Sequence, residues 1–199
     1  MKKNVAILIF DEVEVLDFAG PFEVFAVTDG LTNHETFHTF TLALKPGTVR
    51  ARNGLKIVPD FTLENCPAPQ VLVVPGGYGT RALLQMPALH EWLRTKARTA
   101  EIVMSVCTGS LVLARAGLLD GLRATTHHQA FVELRPLAPN TVIVEDERFV
   151  DNGKILTAAG ISAGIDCSLH VIERLLGAKA AETTAIHMEY AWRSAKPPG

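Results

Sequence analysis

Ile102-Val103-Met104-Ser105-Val106-Cys107-Thr108-Gly109-Ser110-Leu111 decides the fold. It reads as a buried strand from Ile102 to Val106, one abrupt turn at Cys107, and a helix that starts at once at Thr108. That helix is expected to run to Ala116, where Gly117 stops it. A short, continuous apolar run followed by a helix belongs to a parallel sheet covered on both faces.

The rest of the chain repeats the alternation. Val5 to Phe10, Phe40 to Leu44, Val71 to Val74 and Ile155 to Ala158 are similar apolar runs, so five core strands are expected in an α/β domain, the sheet mostly parallel with helices on both faces. Pro21 reads as the first helical position of a segment through Ala26, because its fixed φ suits a helix start. Further helices are expected over Pro87 to Ala97, over Gly164 to Leu176 with Gly177 as the stop, and from about Lys179 to Trp192. Asn53-Gly54 and Asn152-Gly153 each lie between strand-like residues and read as tight hairpin turns. The tail from Ser194 to Gly199 is expected to fray.

Composition narrows the function classes. The chain has 199 residues, 48% hydrophobic and 20% charged, which predicts one domain over residues 1–199. Net charge is −2 with a pI near 6.4, and the basic residues are scattered, so nucleic acid is not an expected partner. No apolar run approaches a membrane span, and the amino terminus lacks the length of a signal peptide. Cys66, Cys107 and Cys167 are odd in number and contain no C-x-x-C, which predicts free thiols and a cytoplasmic location.

Four motifs bear on chemistry. His34-Glu35-Thr36-Phe37-His38 spells H-E-x-x-H, but zinc binding requires a helix, and Thr36 to Thr41 favours a strand; no metal site is expected. Gly77-Tyr78-Gly79-Thr80-Arg81-Ala82 matches a dinucleotide turn, yet no acidic residue ends the next strand. Its Pro75-Gly76-Gly77 portion suits backbone amides that approach a ligand as half of an oxyanion hole. Cys107 sits where strand-to-helix turns expose a nucleophile, and the helix start is expected to lower its pKa. Cys66 and Cys167 read as packing residues.

If the first strand neighbours the Cys107 strand, the loop after it reaches the same sheet edge and offers a proton partner. Asp17, between Leu16 and Phe18, reads either as a solvated loop acid or as a partly desolvated, protonated carboxyl that donates to sulfur; Glu23 competes with it, but in a first helical turn after Pro21 it suits a dipole role. Thr125-Thr126-His127-His128 ends another run, and either histidine is a surface residue or a base.

Read in order, Leu16 to Val24, Val74 to Gly77, Ser105 to Ser110, Ala116 to Gly121, Ala124 to His127 and Gly160 to Asp166 resemble the ThiJ/PfpI superfamily, a branch of the class I glutamine amidotransferase-like fold. Within it the blocks are most similar to the isonitrile hydratases. The resemblance implies a flavodoxin-like three-layer sandwich, a homodimer, a small-molecule substrate and no cofactor. It implies Cys107 as nucleophile, Asp17 as its acid and Thr108 as the following residue. The amides of Gly77 and Thr108 would bracket developing charge, with His127 in the substrate pocket and Ile161 beside the cysteine helix. In the implied reaction the thiolate attacks the terminal carbon of an isonitrile, Asp17 manages protons at nitrogen, and water releases an N-substituted formamide.

Two departures concern substrate identity: His128 stands where the hydratases place tryptophan, and Ala158-Ala159-Gly160 replaces a glycine run. Thr108, where the peptide-hydrolysing branch has histidine, argues against a protease. Other readings of the resemblance are a ligand or redox sensor related to the amino-terminal domains of AraC-type regulators, an amidase or a glyoxalase. With the sequence ending at Gly199, the regulators' DNA-binding domain is not expected, which favours the enzyme.

Overall fold

The computed structural model describes residues 1–192; the tail from Ser194 lies outside the described residues. In chain order, β1 (Lys3–Ile9) leads to α1 (Val15–Leu31), β2 (Phe37–Ala43), a ribbon of β3 (Val49–Arg50) and β4 (Lys56–Ile57), β5 (Phe61–Thr62) and β6 (Val71–Val74). Next come α2 (Thr80–Leu83), α3 (Pro87–Thr99), β7 (Ile102–Val106) and α4 (Gly109–Arg115). The chain continues through β8 (Arg123–Ala124), α5 (Phe131–Leu137), β9 (Val142–Ile143), β10 (Phe149–Asp151), β11 (Ile155–Ala158), α6 (Ala163–Leu176) and α7 (Ala178–His187).

Seven strands form the central sheet in the order β10-β11-β7-β6-β1-β2-β5, parallel throughout except for the β10–β11 hairpin. The five expected core strands are β1, β2, β6, β7 and β11; numbered among themselves they run 2-1-3-4-5, the flavodoxin-like order. Every residue of β6, β7 and β11 is buried, as is β1 from Val5 onward. Burial on both faces explains their largely apolar runs, interrupted by the buried Ser105 and Thr157, and each large aliphatic side chain contributes about 1.5–3 kcal/mol. Helices α1, α6 and α7 pack together on one face, and α2 to α5 on the other.

Several boundaries depart from expectation. Helix α1 begins at Val15, six residues before Pro21, which lies inside it. Tertiary packing overrides the proline cue: Asp17, Phe18, Gly20 and Pro21 are all buried, and Asp17 N–H bonds the Glu14 carbonyl at 3.2 Å to start the helix. Pro21 lacks the N–H that would have bonded the Asp17 carbonyl. Glu23 is therefore exposed in mid-helix and has no first-turn dipole role. Helix α7 ends at His187, short of Trp192. Asn53-Gly54 closes the β3–β4 ribbon through a 3-10 turn over Arg52–Gly54, both residues at positive φ. At Asn152-Gly153 only Gly153 has positive φ, and Asn152 N–H bonds the Ile155 carbonyl at 3.0 Å in a longer loop. Among the described residues no helix is long and apolar enough to cross a membrane.

Candidate active site

In an open parallel sheet of this order, loops part at the carboxyl edge where the strand order reverses, here between β1 and β6. The loops after β1, β6 and β7 meet there, bringing Asp17, Gly76-Gly77 and Cys107-Thr108 together from distant parts of the chain. The turn after β11 adds Ile161, and the segment after β8 adds His127.

Cys107 occupies the turn between β7 and α4 at φ 56°, a left-handed conformation that a side chain enters only when its surroundings impose it. The restraints are visible. Its N–H donates to the Ala158 and Ala159 carbonyls at 3.1 and 3.0 Å, while its own carbonyl accepts the Thr126 hydroxyl at 3.0 Å and the Ser110 hydroxyl at 3.1 Å. The turn closes tightly because Gly109 lies against the Val74 carbonyl, with no room for a Cβ. The sulfur receives the backbone N–H groups of Thr108 and Ile161.

The thiol is not acidified as the helix start suggested. Burial, followed by the charge of Asp17, pushes its pKa up to about 12, outweighing the two amides that favour the thiolate. Asp17 is fully buried, and burial raises its pKa to about 7 despite bonds that favour ionisation. Its Oδ2 accepts the Gly76 N–H at 3.0 Å. Oδ1 is buried without a conventional donor, and the side chain the carboxyl engages is the Cys107 thiol. Carboxyl and thiol thus form one coupled proton site, in which neutral Asp17 with thiolate is the alternative to carboxylate with thiol.

Gly77 adopts φ 126°, and a Cβ there would collide with the Glu12 carbonyl and the backbone N of Glu14. Its N–H donates to the Thr108 hydroxyl at 3.0 Å, so in this geometry the amide addresses Thr108. The Thr80 hydroxyl bonds the Gly77 carbonyl at 2.7 Å, and the Thr108 hydroxyl meets the same oxygen at 3.2 Å and the Thr80 hydroxyl at 3.3 Å. The His127 ring edge rests directly on Gly160 and its face on His128, with centroids 4.3 Å apart. Its Nδ1 accepts the Gln129 N–H at 3.3 Å, and burial followed by His128 lowers its pKa.

A cleft of about 480 Å³, open mouth included, reaches Cys107, Thr108, Gly77, His127 and Ile161. Glu14, Arg52, Tyr78 and Arg81 line its mouth. The Arg52 guanidinium lies 4.3 Å over the Tyr78 ring and 3.3 Å from Glu14, and Arg81 pairs with Glu133. Sequence reasoning missed these side chains: Arg52 arrives on the β3–β4 ribbon, and no local spacing signals its approach. The departures from the family pattern fall gently. His128 is exposed and outside the lining, while Ala158 and Ala159 meet Cys107 through carbonyls that any residue supplies.

The remaining candidates lie elsewhere. His34 sits in a turn at φ 58°, His38 on β2, so the H-E-x-x-H residues share no helix; their Nδ1 atoms contact Asp29 and Asn4 respectively. Cys66 and Cys167 are buried free thiols with raised pKa values, caused chiefly by burial.

The DJ-1/PfpI family model matches residues 3–174. An isonitrile hydratase from Pseudomonas putida is 37% identical over 191 residues, 96% of this chain and 80% of that protein. The HTH-type transcriptional regulator GbdR of Pseudomonas aeruginosa is 30% identical over 175 residues, 86% of this chain but 46% of the regulator. A ThiJ/PfpI family protein from Pseudomonas syringae superposes with a TM-score of 0.86 at 29% identity, covering all of this chain and 78% of that one. With its flavodoxin-like sheet and cysteine elbow, the chain belongs to the DJ-1/PfpI family.

Proposed function

We propose that the protein is an isonitrile hydratase-like enzyme that adds water to R–N≡C and releases R–NH–CHO, working as a homodimer on a small-molecule substrate. The observation that carries this reading is the buried Asp17–Cys107 pair, a nucleophile with a carboxyl beside it to take its proton. The 37% identity to an isonitrile hydratase supplies the substrate class.

The atoms balance as follows. The Cys107 proton moves to Asp17, the thiolate forms an S–C bond to the terminal isonitrile carbon, and Asp17 returns the proton to that carbon, giving the thioimidate R–N=CH–S–Cys107. Water then adds to the same carbon, with Asp17 taking its proton and delivering it to nitrogen. The C–S bond of R–NH–CH(OH)–S–Cys107 breaks, the hydroxyl proton returns to sulfur, and the formamide leaves. The Thr108 and Ile161 amides offset negative charge on sulfur in the attacking and leaving states. The Thr108 hydroxyl, fixed by the Gly77 N–H, and His127 line the cleft beside the isonitrile group.

Similarity to GbdR supports a second reading, a ligand-sensing domain that binds but does not turn over. Incubation with a simple alkyl isonitrile separates them. Formamide should accumulate over many turnovers with wild type and not with Cys107→Ala; stoichiometric binding without formamide would replace the enzyme reading with the sensor.

A further inference from the structure

Ile161 is β-branched and sits at φ 48°, a conformation such residues avoid at a cost of about 1–3 kcal/mol. Its N–H is one of the two that reach the Cys107 sulfur, so this strain has a use, and something must hold it. The backbone alone holds the turn loosely: Ala163 N–H meets the Gly160 carbonyl at 3.3 Å, and Gly164 N–H meets the Ile161 carbonyl at 3.2 Å.

Arg148 brackets the strained residue from both sides. Before it, the Arg148 carbonyl accepts the Ala159 N–H at 2.9 Å. After it, the guanidinium donates through Nε to Asp166 Oδ2 at 2.9 Å, through a second nitrogen to the same oxygen, and to the Ser162 hydroxyl at 3.3 Å. The other Asp166 oxygen accepts the Tyr190 hydroxyl at 3.1 Å, tying the first turn of α6 to the segment after α7. An isolated, exposed ion pair would contribute little, but a fork that spans two residues, with its carboxylate partner fixed by a third, resists rotation.

We propose that Arg148, through Ser162 and Asp166, is a positioning residue that holds Ile161 in its left-handed conformation and so keeps the Ile161 N–H on the Cys107 sulfur. This concerns the nucleophile's reactivity and holds whichever substrate the cleft takes. The charge that acts directly on Cys107 is that of Asp17, so an effect of Arg148 must travel through the turn. The titratable and charged groups around the thiol are Asp17 from α1 and, lining the same cleft, Glu14, Arg52, Arg81 and His127, none of which bonds Arg148.

The test is the rate of Cys107 alkylation by iodoacetamide against pH, in variants whose Cys66 and Cys167 are replaced by alanine. Arg148→Gln should slow alkylation at pH 7 by about three- to tenfold and move the profile to higher pH, since a thiolate that loses a donor is harder to form. Arg148→Lys, which keeps the charge but not the fork, should recover part of the rate. Thr184→Val, which breaks the buried Thr28–Thr184 hydroxyl contact at 2.9 Å, should lower thermal stability without moving the profile. The proposal fails if the Arg148→Gln profile superimposes on wild type, or if Thr184→Val shifts it equally. Should Arg148→Gln not fold, Arg148→Lys decides alone: a slowed profile supports the clamp, an unchanged one overturns it.

Discussion

The Asp17 carboxyl and the Cys107 thiol meet in a buried site, and their interaction pulls the two in opposite directions: it favours the ionised carboxylate and disfavours the thiolate. Replacing Asp17 by asparagine removes the charge that holds the proton on sulfur. Asp17→Asn should therefore shift the pH profile of Cys107 alkylation downward while reducing isonitrile turnover about 100-fold or more, because the proton carrier is gone. A more reactive thiol in a slower enzyme is the signature; unchanged turnover would remove Asp17 from the mechanism.

The same substitution has an opposite effect on stability. Asp17 has a folded pKa of about 7 against 3.8 for an ordinary aspartate carboxyl, so the folded chain holds this proton more tightly than the unfolded chain does. That contribution is full below about pH 4 and is lost as pH rises to about 7. Asp17→Asn should gain stability over wild type across that interval, reaching at most about 4 kcal/mol, and then level off. Urea titrations of both proteins at pH 5 and pH 8 measure the difference.

Gly77→Ala should destabilise the fold by about 3 kcal/mol or more. An alanine there combines φ 126° with a collision against the Glu12–Glu14 backbone, which has no flexible end to yield. Chemical denaturation checks it, and an unperturbed midpoint would mean that the loop after β1 can shift as a unit.

Gly160→Ala should act on the cleft by displacing the His127 ring that rests on it. Turnover is expected to fall about tenfold, and the double variant with His127→Ala to be no worse than His127→Ala alone, since both act through one ring. Additive losses in the kinetic cycle would assign Gly160 a separate role.

Much of this was legible in the sequence where one physical cause dominated. Strands β6, β7 and β11 match their apolar runs residue for residue, because burial on both faces leaves no other pattern. The elbow at Cys107 was legible for the same reason, an apolar strand meeting a helix with no residue to spare. What local pattern hides is competition. Pro21 signals a helix start, but packing carries α1 back to Val15 and so encloses Asp17. The helix start at Cys107 favours a thiolate, yet burial outweighs it, and burial of one side chain depends on the whole fold. Arg52 and Arg148 reach the site or its supporting turn by long-range approach, which no spacing records.

The central claim is that Cys107 forms a covalent bond to the isonitrile carbon. Denaturing mass spectrometry of a reaction quenched during turnover tests it directly. The account predicts a chain heavier by the full mass of the isonitrile, since addition expels nothing, with the adduct on the Cys107 peptide and absent from Cys107→Ala. Turnover by Cys107→Ala at the wild-type rate, with no adduct on either protein, would contradict it.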